Sequence, residues 1–439
     1  MSGLARILEA DQIWTPEGFR SGLRLVINDQ GRIAALEPTE APAPADLPVE
    51  KLTGRALLPG FVNAHSHAFQ RGLRGRGETF PRGAGSFWTW REAMYSLVQT
   101  LDAETFHGIC LQAFREMLAA GMTSVGEFHY FHHLDAQNRD YRADELVLDA
   151  ARQAGIRIVL LYAYYRTGGI GAPLQGGQTH FSTPSLDEYR QRLERLQEKL
   201  DPATQSLGIV AHSIRAVDLD ELAALHQEAR NRGWVFHLHL EEQRQEIEAC
   251  VEAYGKAPME ALLERIDPGA TPTTAVHCTH TAPESMERYL DRGGNVCICP
   301  LTEANLADGI ADLPGINRGI AKHQISLGSD SNARISMLEE ARWLEYVQRL
   351  HLERRGVVID DDGFCGRHLM SVVTAGGAAS LGLDTGSLEA GKLADLISVD
   401  LNHPTLAFTP DAGEGLIDAL FLGASDDAID RVCVGGLWI

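Results

Sequence analysis

The sequence predicts an α/β protein, a (β/α)8 TIM barrel framed by strand-rich segments at both ends of the chain. Two observations carry the prediction. Between residues 59 and 384, apolar strand-like runs alternate with long amphipathic stretches about eight times, as such a barrel requires. On either side of this region the texture is that of short strands and turns. A third observation adds chemistry: the conspicuous His and Asp residues fall at the ends of candidate strands, where a barrel of this kind carries its active site.

The division that follows is a lobe from 1–58 and 385–439 and a barrel from 59–384. At 439 residues the chain exceeds one average domain but suits a barrel with an appended lobe. In the first segment, Arg6–Ala10, Leu23–Asn28 and Arg32–Leu36 read as strands. Asp29-Gln30-Gly31 forms a hairpin turn, and the Pro/Ala-rich run Ala41-Pro42-Ala43-Pro44-Ala45 is a loop. Barrel strands are expected at Leu58–Val62, Met122–Glu127, Arg157–Tyr162, Leu207–Ala211, Val235–His239, Thr274–His277, Val296–Cys299 and Ser326–Leu327. Between them lie helix-like stretches such as Leu186–Leu200, Asp218–Arg232 and Ala282–Arg292. The closing segments, Gly386–Asp400 and Arg431–Ile439, return to strand-like texture, and both ends form one lobe only if they meet beside the barrel.

Composition bounds the function. Apolar content of 44% and charged content of 23% are those of an ordinary globular protein. Acidic residues outnumber basic ones 60 to 39, a formal charge of −21 that argues against nucleic acid and anionic membrane as partners. No apolar run approaches the length of a membrane span. The first residues lack the pattern of a secretory signal, which points to the cytoplasm. The seven cysteines are scattered, without Cys-x-x-Cys, and read as reduced thiols; Cys297-Ile298-Cys299 sits in a strand-like run and reads as buried.

The run Leu57-Leu58-Pro59-Gly60-Phe61-Val62-Asn63-Ala64-His65-Ser66-His67 ends in His-x-His. Alternate residues of a strand point the same way, so His65 and His67 project together as half of a zinc site. Three more strand ends contribute. In Phe236-His237-Leu238-His239-Leu240-Glu241-Glu242, His239 closes the strand, and Glu242 is spaced to reach back over a metal. His277 ends Ala275-Val276-His277, and Asp330 follows a short strand and a glycine in Leu327-Gly328-Ser329-Asp330. Each alone is commonplace, since a strand-end histidine is more often merely hydrogen-bonded and Gly-Ser-Asp is a common turn. The set falls on strands read as first, fifth, sixth and eighth, and the case rests on that coincidence.

Pro59-Gly60-Phe61-Val62-Asn63-Ala64-His65-Ser66-His67, His239 with Glu242, His277, Ser329-Asp330 and the closing segment Gly386–Asp400 resemble the amidohydrolase superfamily in its adenosine-deaminase-like branch. The resemblance spans essentially the whole chain. It implies a (β/α)8 barrel flanked by a β-sandwich lobe built from both termini, and a homodimer. It assigns His65, His67, His239 and Asp330 to one divalent ion. Three imidazoles and a carboxylate suit zinc, with iron or manganese as alternatives. Leu207–Ala211 carries no lysine to bridge two metals, which favours one ion. Zinc lowers the pKa of its water from about 16 to about 7. In the hydrolytic deamination this implies, Asp330 accepts the water's proton, His277 orients and stabilises charge, and Glu242 shuttles a proton to the departing nitrogen.

The residues expected near the metal choose among substrates. Arg91 and Arg215 are each able to grip a carboxylate at two points, whereas Arg71, Arg74 and Arg76 read as a rim paired with surface carboxylates. A small dianion needs such local cations within so acidic a chain. His65-Ser66-His67-Ala68-Phe69-Gln70-Arg71 and His212-Ser213-Ile214-Arg215-Ala216-Val217 resemble the N-formimino-L-glutamate deiminases of histidine degradation. That resemblance implies a glutamate part bound by Gln70, Tyr130, Arg91 and Arg215, with Gln70 and Tyr130 near the α-carboxylate. His212 either faces the pocket or packs as a hydrogen-bonded strand histidine. Two alternatives stay open: a deaminase of S-adenosylhomocysteine or another heterocycle, for which Trp88 and Trp90 offer aromatic surface, and a metal-free barrel acting as a binding module.

Overall fold

A computed structural model describes residues 5–42, 47–80, 83, 85–409 and 414–439 of the chain. Eight parallel strands follow one another in chain order around a single sheet: Phe61–Ser66, Met122–His129, Arg157–Tyr164, Gln205–Ser213, Phe236–Leu240, Thr273–His277, Asn295–Ile298 and Ile325–Leu327. They are buried almost throughout, as parallel strands jacketed by helices are. Helices fall between them where the amphipathic stretches predict. Leu219–Arg232, for example, starts at Asp218, whose carboxylate accepts from the N–H groups of Asp220 and Glu221, and ends at Gly233 in the left-handed region at φ +67°.

The sheet closes into a barrel at a short seam between its first and eighth strands. Ser66 and Asp330 form a parallel bridge. The Asp330 N–H donates to His65 O at 3.0 Å, and the His67 N–H donates to Asp330 O at 2.9 Å. Gly328 permits the approach, because a Cβ there would lie 2.7 Å from the backbone oxygen of His65. Asn63 locks the seam from within. Its Oδ1 accepts from the Ser329 N–H at 3.0 Å, and its Nδ2 donates to Ser329 Oγ at 2.7 Å.

The first barrel strand departs from the expected Leu58–Val62. Leu57 and Leu58 belong instead to Val49–Pro59, a strand of the lobe, and the barrel strand begins at Phe61. Pro59 has no N–H to continue the ladder, and Gly60 turns where a Cβ would lie 2.2 Å from the Thr123 side chain. The effect is to carry His65 inside the strand and leave His67 just beyond its end.

The lobe is one hydrogen-bonded sheet in the order Leu437–Trp438, Ile429–Val434, Leu396–Asp400, Val49–Pro59, Arg6–Thr15, Leu23–Ile27, Ile33–Pro38, with Gly18–Arg20 paired to Arg6–Thr15. Val49–Pro59 runs parallel to the N-terminal strand and antiparallel to Leu396–Asp400, so the two ends of the chain meet across it. The sheet curls around its own small core, which includes Leu8, Leu25, Ile33, Leu57, Leu396 and Cys433. Asp395 fastens lobe to barrel. Its carboxylate takes a two-point contact from Arg157, at the start of the third barrel strand, at 2.7 and 3.0 Å, and its backbone oxygen accepts from the Gly60 N–H at 3.0 Å. Of the expected Ala41–Ala45 loop, residues 43–45 lie outside the described residues. No helix among the described residues is long and apolar enough to cross a membrane.

The seam makes a prediction. Asn63→Ala removes two buried hydrogen bonds that join the first and eighth strands, so it should cost about 1–3 kcal/mol. Denaturant unfolding should show the loss, and a stability equal to wild type would mean that the strands hold without it.

Candidate active site

The seam delivers two strand ends to one point, and the fifth strand delivers a third. His65, His67, His239 and Asp330 are all buried, and their candidate ligand atoms lie within 4.8 Å of one another. Nε2 of His239 stands 3.3 Å from Nε2 of both His65 and His67, and Asp330 Oδ1 stands 3.3 Å from the same two atoms.

Hydrogen counting tests whether this set fits a cation. His67 Nδ1 lies 2.8 Å from Phe128 O, and His239 Nδ1 lies 3.0 Å from His212 O. A carbonyl only accepts, so both Nδ1 atoms carry the hydrogen and both Nε2 atoms present lone pairs. Those lone pairs face each other and the Asp330 carboxylate with no proton to share. Burial pushes the His67 imidazolium down to about 3, lowers His65 and holds His239 well below the ordinary value, which keeps the rings neutral. Burial also works to raise the Asp330 carboxyl, but the rings of His65, His277 and His67 outweigh it and hold it well below the usual carboxylate range. Three neutral imidazoles, two of them oriented by backbone carbonyls, beside an ionised carboxylate, are the donor set and outer support of a zinc-type site. The residues fit a divalent ion.

The geometry is held at a cost. Asp330 and His277 sit in the left-handed region at φ +43° and +73°, conformations worth roughly 1–3 kcal/mol of strain each for residues other than glycine. His277, closing the sixth strand, places Nε2 3.8 Å from Asp330 Oδ2 and Nδ1 3.4 Å from Glu303 Oε1. Burial favours a neutral ring, but the carboxylates of Glu242, Glu303 and Asp330 outweigh it and push His277 up to about 10.

Beside the cluster opens a cavity of about 280 Å³. Its lining includes His67, His239, Glu242, His277 and Asp330 from around the cluster, together with Gln70, Arg91, Tyr130, His212 and Arg215. Gln70 Nε2 donates to the Tyr130 hydroxyl at 2.7 Å, which leaves the hydroxyl hydrogen free to point at a ligand. The His212 ring packs 4.9 Å from that of His239 and 4.5 Å from that of Tyr165, and burial keeps it neutral.

The two cavity arginines differ. Arg91, on the helix Phe87–Val98, has no carboxylate partner among the described residues; its guanidinium lies over Trp88 at 4.3 Å and near Tyr95 at 5.5 Å. Arg215 donates from Nη2 to Glu242 Oε2 at 3.2 Å and places Nε 3.5 Å from Glu246 Oε2. Arg71 and Arg74 instead share Glu116, with Arg71 Nε at 2.9 Å and Arg74 Nη1 at 2.7 Å.

Glu246 and Glu303 are the carboxylates that motif reading passes over. Each had a faint signal. Glu246 lies four residues after Glu242, in the first turn of the helix Arg244–Tyr254. Glu303 follows Pro300 in the turn that leaves the seventh strand. His237, paired with His239 by strand alternation, lies one layer deeper and bonds Ser380 O at 2.9 Å. The seven cysteines are free and buried, with Cys299 near His277 and Asp330.

In a second buried cluster, His129, His132 and Asp144 bring a ligand atom each within the same 4.8 Å of one another. Its polar atoms already have partners. Asp144 Oδ1 lies 2.9 Å from both rings, Oδ2 accepts from Tyr162 at 2.8 Å, and His132 Nε2 faces Ala163 O at 2.8 Å. The two clusters should therefore respond oppositely. His239→Ala should lose more than the ~10–100-fold in metal affinity typical of removing only an outer partner. Asp144→Ala should retain the metal and lose about 3–5 kcal/mol of stability, because it strips a buried partner from two histidines. Metal analysis with thermal melts would reverse the assignment if Asp144→Ala emptied the protein of metal.

The amidohydrolase family profile matches residues 56–439. The chain is 38% identical over 437 residues to formimidoylglutamate deiminase of Pseudomonas aeruginosa, covering 98% of this chain and 93% of that protein. It is 28% identical over 432 residues to a 5-methylthioadenosine/S-adenosylhomocysteine deaminase of Natronomonas pharaonis, covering 97% and 90%. Among solved structures, an amidohydrolase from Brucella melitensis superposes with a TM-score of 0.87 at 31% identity, over 99% of this chain and 94% of that one. An adenosine deaminase from Xanthomonas campestris with bound zinc has a TM-score of 0.79 at 23% identity, over 98% and 92%, and speaks to the fold alone. The chain belongs to the amidohydrolase family.

Proposed function

We propose that this protein is a metal-dependent deiminase that hydrolyses N-formimino-L-glutamate to N-formyl-L-glutamate and ammonia, a step of histidine degradation. One observation carries the reading: the cavity that opens on the His65, His67, His239 and Asp330 cluster also holds two arginines, one of them without a carboxylate partner among the described residues. A small molecule with an amidine at one end and two carboxylates at the other matches that layout. The 38% identity to formimidoylglutamate deiminase supports it.

A divalent ion in the cluster supplies Lewis acidity and a water ionised near neutral pH. The remaining work falls to side chains. Asp330 takes the proton of the attacking water. His277, lying between Asp330 and Glu303, orients the attacking water and stabilises the charge that develops as the C=N bond is attacked. Glu242 passes a proton to the terminal nitrogen, so that ammonia departs and the glutamate nitrogen stays. Arg91 and Arg215 bind the carboxylates, Gln70 and Tyr130 serve the α-carboxylate, and His212 forms the wall between them and the ion. Holding both carboxylates turns binding energy into alignment of the amidine.

The ion in this reading is a single zinc: three imidazoles and a carboxylate suit zinc, and no lysine is among the described residues that line the cavity, which favours one ion. The domain division at 59–384, a homodimer and a cytoplasmic location complete the proposal on the strength of the sequence. The heterocycle alternative is weaker, because the Arg91 guanidinium already lies over one face of Trp88.

An ammonia-release assay on metal-loaded protein should show turnover of N-formimino-L-glutamate and none of S-adenosylhomocysteine; the opposite pattern would overturn the assignment. Arg215→Met should keep its metal and raise KM about 10- to 100-fold, the equivalent of one charged hydrogen-bonded contact. An unchanged KM would remove Arg215 from the site.

A further inference from the structure

The contact between Arg215 and Glu246 has no part in the chemistry above, yet it is built with care. Arg215 lies in the turn after the fourth strand, and Glu246 lies in the first turn of the helix Arg244–Tyr254 that follows the fifth. Arg215 Nε and Glu246 Oε2 are both buried without a hydrogen-bond partner of standard geometry, and they stand 3.5 Å apart. Each is thus the complementary group the other has. Glu246 Oε1 accepts from the Glu241 N–H at 3.2 Å, which pins the carboxylate to the backbone leaving the fifth strand. The Glu246 side chain has no exposed surface outside the cavity it helps to line.

A buried carboxylate in the wall of a cavity that accepts an anion opposes binding unless something offsets it. The orientation of Arg215 provides the reason. A guanidinium offers donors along two edges. Glu246 and Glu242 sit at Nε and Nη2, the side edge, and no hydrogen bond among the described residues engages Nη1. Arg215 lines the cavity, so the end edge is the one available to a ligand there.

We infer that Glu246 is a positioning residue for Arg215, a buttress that fixes the side edge of the guanidinium so that its end edge meets a substrate carboxylate. Without it, Arg215 keeps one anchor, Glu242, the group that must be free to move a proton. Glu246 therefore sets affinity for the carboxylate-bearing end of the substrate and leaves the reacting centre alone. The inference rests on the reading of the cavity given under the proposed function.

The test is steady-state kinetics of the metal-loaded enzyme with N-formimino-L-glutamate, comparing wild type, Glu246→Gln, Glu246→Asp, Arg215→Met and the double variant Glu246→Gln/Arg215→Met. Glu246→Gln should raise KM about tenfold, the loss of one charge-assisted contact, with a much smaller change in kcat, the pattern of lost uniform binding. Glu246→Asp should recover part of the affinity, and Glu246→Gln should add nothing once Arg215 is Met. A fall in kcat at constant KM, or full additivity with Arg215→Met, overturns the inference. Should Glu246→Gln fail to fold, the same KM-against-kcat split in Glu246→Asp decides. A wild type that releases no ammonia from this substrate counts against the proposed function; an active wild type with unaltered Glu246 variants counts against this inference alone.

Discussion

Two backbone hydrogen bonds, Asp330 N–H to His65 O and His67 N–H to Asp330 O, hold the rest in place. They close the barrel, and they belong to three of the four residues of the ligand cluster. Closure and site formation are therefore one event. A chain in which the first and eighth strands have not met has no cluster, and a cation that binds the cluster pulls those strands together. Its binding free energy becomes folding free energy. The same coupling explains why Asp330 tolerates a left-handed backbone: both its N–H and its C=O are claimed by the first strand, so the conformation is over-determined.

Electrostatics works at two scales. A chain with formal charge −21 repels anions at a distance. Inside the cavity the local arrangement decides, and it is graded. Arg91 rests on Trp88 and has no carboxylate partner among the described residues, whereas Arg215 is shared with two carboxylates. A ring face attracts a cation without neutralising it. The two arginines thus differ in how much positive charge they offer, and a carboxylate arriving at Arg91 meets less competition than one arriving at Arg215.

Much of this was legible in the sequence. Strand existence followed from short apolar runs, and all eight barrel strands formed near the expected residues. The exception was instructive: Leu57-Leu58-Pro59-Gly60-Phe61-Val62 reads as one apolar run, yet it serves two sheets. The break lies at a residue without an N–H and at one without a Cβ, features that hydropathy does not register. The grouping of His65, His67, His239 and Asp330 was legible because strand alternation sets His65 and His67 side by side and because the strand-end motifs resemble the amidohydrolase superfamily, which assigns all four to one ion. Glu246 and Glu303 were not, because they lie on the helices that follow strands, where direction depends on how the connecting turn is made.

The two buried His/Asp clusters show why residue type alone does not identify a metal site. In His129, His132 and Asp144, the carboxylate receives two rings and a tyrosine hydroxyl, and the far side of His132 faces a carbonyl. Hydrogens sit on the contacts, and the group is complete as it stands. In His65, His67, His239 and Asp330, carbonyls take the outer hydrogens of two rings, His67 and His239, and the inner atoms of those two meet lone pair to lone pair. Such an assembly is repulsive unless a positive charge occupies its centre. What separates a structural knot from a metal site is the inventory of protons, and the backbone oxygens of Phe128 and His212 set that inventory from outside the cluster.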